Sequence, residues 1–286
     1  MGTSINTCTF SKDCYRYIPE QDTWEKTSGK MRHFGDHSGY DYSDSWGLVW
    51  VDPNGGLQVT RDGITFDWLA EYPNPDSHYH YDSGCMVLVD DKNAFFAGGN
   101  DGARIEVTPR AYIYNRDSNS WREVNSMDTG RRQHSCGIVD RSDGMGRDIV
   151  VAGGYGNDGT GTSKLITVEI FSTETETWRQ GNIHTYALES FLLFCLLSGN
   201  NLPYAMSGAT RVHYEESFIM VGGVIGGEDR ATRKPIDTML KYQPETDTWM
   251  ELDGKMRRGR FATTAFVVDE AIFQVCYALK VGTHTY

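Results

Sequence analysis

No Asn-x-Ser/Thr triplet occurs in this 286-residue sequence, so it offers no acceptor for an N-linked glycan. Six cysteines are too sparse for the disulfide framework that small secreted domains use in place of a core. The apolar run at residues 191–197 falls far short of the roughly 20 residues that span a bilayer. Positive charge is also in deficit: 27 Lys and Arg against 39 Asp and Glu give a formal charge of -12. Association with nucleic acid or an anionic membrane would therefore begin with repulsion. Residues 1–6 carry neither a basic nor an apolar stretch, and Asn6 stands where the myristoylation pattern needs Ser or Thr. The expectations are no nucleic acid, no membrane span, and the cytoplasm as default compartment.

Glycine, by contrast, is plentiful. There are 31 glycines against eight prolines, with 39% hydrophobic and 12% aromatic residues, which suits short strands joined by tight turns around a substantial core. An all-β fold is predicted. An internal repeat supports it, because an aromatic residue is followed seven positions later by tryptophan at Tyr17 and Trp24, Tyr114 and Trp121, Phe171 and Trp178, and Tyr242 and Trp249. Three of these pairs have a Gly-Gly upstream at the end of an apolar run: Gly98-Gly99, Gly153-Gly154 and Gly222-Gly223. Val59 and Phe66 repeat the step in the gap between Trp24 and Trp121, with Phe66 in the tryptophan position. Each unit reads as four short strands, with polar turns such as Asn115–Ser120 before the tryptophan, and units of this length match a propeller blade.

Gly-Gly, an aromatic residue, then tryptophan seven residues on resembles the kelch repeat, over roughly residues 15–273. The resemblance implies a β-propeller of four-stranded antiparallel blades and, for most members, an interaction scaffold without catalysis. About five blades are expected, in one domain at residues 8–280: 31–70, 79–124, 132–180, 204–252, and a composite of 8–27 with 258–280 that closes the ring. The stretch 183–200 fits no strand of the repeat; removing its 18 residues brings the 71-residue step between tryptophans back to 53, so it reads as an insertion, with a long loop packed on the ring as the alternative.

In such a blade the loop after the second strand and the loop after the fourth emerge on one face. The first set carries Asp101, Asp158 and Asp229, and the second carries Arg32, Arg132 and Arg258. The arginines offer forked donors to a partner's carboxylates or carbonyls, as loop arginines of kelch adaptors do for acidic peptides, unless they bridge to the neighbouring acidic loops. Met31, Met127 and Met256 follow their tryptophans at six or seven residues and read as core-edge positions. Gly154–Gly159 matches a dinucleotide-binding pattern, but the strand that follows removes the helix such a site needs. His78, His80 and Asp82 read as a solvated inter-blade segment rather than a metal site, and Cys85 and Cys136 as small packing residues rather than nucleophiles. The reading is a monomeric, noncatalytic protein-binding module without cofactor. The alternatives are a galactose-oxidase-like copper oxidase or carbohydrate-active propeller, and a truncated nonfunctional product.

Overall fold

The computed structural model describes residues 13–18, 23–30, 39–51, 56–62, 64–71, 83–101, 106–141, 143–157, 162–181, 201–214, 217–227, 232–268 and 271–275. Its described regular structure is entirely β. Four strands pair antiparallel, in sequence order across the sheet, in each of four blades. Blade 1 is Tyr40–Ser43, Gly47–Val51, Gly56–Thr60 and Asp67–Glu71. Blade 2 is Cys85–Leu88, Asn93–Ala97, Ala111–Asn115 and Ser120–Val124. Blade 3 is Ser135–Asp140, Arg147–Ala152, Val168–Ser172 and Trp178–Gln180. Blade 4 is Thr210–Tyr214, Ser217–Val221, Met239–Gln243 and Thr248–Glu251.

The second strands are apolar without alternation because both of their faces are covered. Successive side chains of a strand point to opposite sides of the sheet. Phe95 enters a core with Cys136, Ile149 and Phe171 of blade 3, while its neighbour Phe96 enters another with Trp46, Val49 and Leu57 of blade 1. Val150 likewise packs with Phe218, Met220 and Tyr242 of blade 4. Blades 2, 3 and 4 are therefore each wedged between two apolar layers, and their burial depends on their neighbours.

The seven-residue step has a direct geometric cause. Tyr17 lies opposite Trp24, Tyr114 opposite Trp121, Phe171 opposite Trp178 and Tyr242 opposite Trp249 across third-to-fourth-strand hairpins. In the three blades where both side chains are described, the rings meet at 5.3, 5.1 and 5.2 Å with interplanar angles of 57°, 55° and 55°. Tilted pairs at this separation suit the ring quadrupoles. The residue two before each tryptophan turns the chain in the left-handed region: Asn119, Glu176 and Asp247, at φ of 49°, 55° and 53°. Asn and Asp tolerate that conformation best, and each accepts the hydroxyl of its own aromatic partner, Tyr114 to Asn119 at 2.7 Å and Tyr242 to Asp247 at 2.5 Å. Blade 1 departs from this register. Val59 lies opposite Asp67 and Gln58 opposite Trp68 after a bulge, so Phe66 falls just before the strand and packs its ring on Trp50 at 5.5 Å.

Gly-Gly ties each blade to the next. The amides of Gly99, Gly154 and Gly223 donate to the carbonyls of Arg131, Met206 and Arg260, at 2.9, 2.8 and 2.7 Å, which makes those three residues equivalent in the repeat. At Gly98, with φ of 69°, an added β-carbon would sit 2.5 Å from the Arg131 carbonyl oxygen and 2.5 Å from the His134 ring. Gly98→Ala is expected to cost about 2 kcal/mol, from left-handed strain plus contact with a backbone atom that cannot yield, read as a lowered denaturant midpoint with unchanged slope.

A second belt runs closer to the axis. Gln133 donates to Ser83 at 2.7 Å, Gly208 to Gln133 at 2.9 Å and Ala262 to Gly208 at 2.8 Å. All four residues have φ between 51° and 65°, so blades 2, 3 and 4 and the hairpin Thr264–Val275 each enter their first strand through the same left-handed residue.

Cys85 and Cys136 differ from expectation. They occupy matching places in the innermost strands of blades 2 and 3, with α-carbons 5.9 Å apart, and form a disulfide rather than a pair of packing thiols. Asp13–Ile18 with Thr23–Lys30, and Thr264–Val268 with Ala271–Val275, are separate two-stranded sheets, and no backbone pairing joins them among the described residues. The second hairpin packs against blade 4, with Ala265 in a core shared with Val212, Ile219 and Val221. The segment 183–200, His78, His80 and Asp82 lie outside the described residues.

Candidate functional site

The strand Arg131–Arg132 leads from blade 2 into blade 3 and pairs with Tyr155–Asn157, the residues directly after Gly153-Gly154. The two loop sets therefore do meet on one face here. Adjacent residues of an extended strand point to opposite sides, and this separates the two arginines. Arg131 turns inward and is fully buried. It donates to the carbonyls of Gly153 and Thr167, both at 3.0 Å, and to Glu169 Oε1 at 2.5 Å. Glu169, also buried, further accepts the backbone amides of Asp128 at 2.6 Å and Thr129 at 3.2 Å. Burial pushes the Arg131 pKa down while the Glu169 carboxylate opposes it. This pair locks the loop onto blade 3 and is not available to a ligand.

Arg132 turns toward the loop face. Its Nη1 donates to Asn100 Oδ1 of the blade 2 loop at 3.2 Å, and its guanidinium stands 5.6 Å from the Tyr155 ring centroid. Lys164 Nζ lies 4.9 Å from the same ring and reaches the carbonyls of Gly226 and Gly227 in the blade 4 loop at 2.6 and 3.0 Å. An aromatic face flanked by two cations is a stable arrangement, worth about 0.5–1 kcal/mol per partly exposed contact. Loops of blades 2, 3 and 4 are thus linked through Asn100, Arg132, Tyr155 and Lys164. Beneath them His134 is buried against Gly98 and Gly154, without a well-formed hydrogen bond to either ring nitrogen. Burial, then the positive charge of Arg131, pushes its pKa down to about 3, with the Ala97 backbone opposing weakly.

Of the other expected loop residues, Arg258 is exposed after blade 4, and no described contact joins it to Arg132. Asp101 pairs with Glu106 in a short hairpin after Gly99. Arg32, Asp158 and Asp229 lie outside the described residues. Met127 is 3% exposed and Met256 packs on the blade 4 core, while Met31 lies outside the described residues. Tyr155 and Lys164 were not foreseen. Their signal was present in the glycine register, since Tyr155 occupies the place after Gly-Gly that Asn100 and Val224 hold in the neighbouring blades.

One side chain ties the innermost strands of three blades together. Arg211, on the innermost strand of blade 4, donates to the carbonyl of Tyr40 at 2.5 Å and to that of Met86, and lies 3.6 Å from Asp41. It also meets His213 Nε2 at 3.3 Å. His213 is held near pH 4, first by burial and then by Arg211, with Asp41 opposing. Among the described residues, no group of three or more His, Cys, Asp or Glu side chains converges in metal-ligand geometry.

A family model described as the kelch motif matches residues 144–183, which run from the second strand of blade 3 through its Gly-Gly and its aromatic–tryptophan hairpin. The chain folds as a β-propeller that carries a kelch motif in its third blade. The solved structure of YjhT superposes on the propeller with a TM-score of 0.59 at 13% identity, covering 83% of this chain and 70% of that one. At that identity the likeness concerns the fold alone. A search of curated proteins finds no relative that matches.

Proposed function

We propose that this propeller is a noncatalytic protein-binding module, built as a single domain, whose loop face receives the partner. The observation that carries this reading is the cluster of Asn100, Arg132, Tyr155 and Lys164, which joins loops of three blades into one surface. Flat guanidinium groups stacked on aromatic rings are frequent anchors of protein interfaces, because they give much contact area and directed donors for little loss of rotamer freedom. The positive character of this cluster, in a chain of charge -12, favours an acidic segment of the partner.

Affinity capture with the wild type and with Arg132→Glu combined with Arg258→Glu tests the proposal, after both proteins are shown to melt at similar temperatures. Specific partners of the wild type should fall at least tenfold with the variant, corresponding to about 1.4 kcal/mol or more. An unchanged partner set would place binding elsewhere.

A further inference from the structure

We infer that the blade 4 sector of the loop face carries a phosphate-binding patch, built by Lys234, Arg257 and Arg258, that takes a phosphorylated segment of the protein partner. The inference rests on the reading of the loop face as the partner surface and adds the chemistry of the group received there.

Two loops of one blade supply the cations. Lys255, Arg257, Arg258 and Arg260 fall within six residues, in the segment that leaves the fourth strand of blade 4. That segment is fixed: the Met256 amide donates to the Asp237 carbonyl at 2.9 Å, the Arg260 amide to that of Ile236 at 3.0 Å, and the Met256 side chain packs on the blade 4 core. Gly259 brings it against the other loop, since a β-carbon there would sit 2.4 Å from the Pro235 carbonyl oxygen. Lys234 and Pro235 form the return strand of the short hairpin after Gly222-Gly223, paired with Val224 and Ile225. Lys234 therefore stands beside the arginine segment. The turn of the same hairpin receives Lys164 through the carbonyls of Gly226 and Gly227, so the patch continues the surface built on Arg132 and Tyr155.

Charge selects the occupant. In a chain of charge -12, residues 233–237 and 251–260 hold six Lys and Arg against three Asp and Glu. Exposed cations elsewhere are answered by carboxylates, Lys92 by Asp117, Arg122 by Glu176 and Arg141 by Asp143. Lys234, Arg257 and Arg258 are exposed and have no ion pair among the described residues. One carboxylate would cancel only one of these three charges. A phosphomonoester carries roughly -1.5 to -2 at neutral pH on three terminal oxygens, and accepts from several forked donors at once. The rest of the protein limits the length of the anion. Its net charge repels an extended polyanion, but charges beyond about 8 Å are screened at physiological salt, so a short phosphorylated segment senses chiefly the patch. Phe261, next in the chain and 40% exposed, offers a ring to an apolar side chain beside the phosphate.

Fluorescence anisotropy at about 0.15 M salt, with a labelled degenerate peptide mixture centred on phosphoserine, is the experiment, and mixtures centred on serine and on glutamate are the controls. The phosphoserine mixture should bind at least about tenfold more tightly than the serine mixture and about threefold more tightly than the glutamate mixture. Arg257→Ser combined with Arg258→Ser should weaken it about tenfold and Lys234→Ser about threefold, whereas Lys92→Ser, a cation already paired, should change it less than about twofold. Absence of phosphate-dependent binding, equal binding of the glutamate mixture, or equal losses in Lys92→Ser would overturn the patch. Tighter binding of single-stranded RNA or of phosphatidylserine vesicles would overturn it too, by naming a different anion. The loop-face reading is scored separately, by the loss of captured partners in Arg132→Glu alone, which leaves the patch intact.

Discussion

Glu169→Gln is expected to lower stability by about 3–5 kcal/mol, because it leaves the Arg131 guanidinium buried with no countercharge. Arg131 is 0% exposed and Glu169 0%, so water cannot take over the lost interaction. The carboxylate also accepts two loop amides, which tie the entry to blade 3 to its third strand. Thermal melts should show a drop on the order of 10 °C for a domain of this size. Arg131→Met removes the charge instead and should cost less. The double variant should recover at least about 2 kcal/mol relative to the sum of the two, a coupling expected of residues in one buried network and absent between distant, independent sites. Additive effects would mean that the two do not interact in the folded protein.

Mild acid should destabilise the protein well before its carboxylates are protonated. In the folded state His134 is held down to about 3 and His213 down to about 4, whereas an unfolded histidine titrates near 6.5. Both shifts are downward, so the unfolded state binds more protons below pH 6.5, and stability falls as pH drops from 6.5 toward the folded values. Between pH 7 and pH 5 each histidine contributes a loss of about 2 kcal/mol, hence roughly 4 kcal/mol together. Denaturant titrations at the two pH values measure this directly. His213→Gln should reduce the slope by about half whatever it does to stability at pH 7. An unchanged midpoint from pH 7 to pH 5 would show that these imidazoles are hydrated rather than buried.

The parts of the fold that the sequence revealed are those set by local geometry. The aromatic–tryptophan step is the facing pair of a tight hairpin seen along the chain, and Gly-Gly is a pair of left-handed residues. Both are short-range, so both survive as spacing. The register of blade 1 was hidden because the bulge after Leu57 moves tryptophan to position 68 and leaves Phe66 outside the strand. The disulfide was hidden because Cys85 and Cys136 are brought together only by the rotation from one blade to the next.

The candidate site shows the same division. Loop position indicated that Arg132 faces outward with the Gly-Gly loops, but the inward turn of its neighbour Arg131 emerges only from the strand pairing with Tyr155–Asn157. Glu169 and Arg211 gave no local signal. Each acts on residues at least 38 positions away, through contacts that exist only once the ring has assembled.

Hydrogen–deuterium exchange of the protein bound to a captured partner tests the central claim most directly. The loop-face account predicts new protection concentrated in residues 130–133 and 155–164, around Arg132, Tyr155 and Lys164. Protection confined to residues 141–148 and 172–177, on the opposite face, with no change around Tyr155, would contradict it.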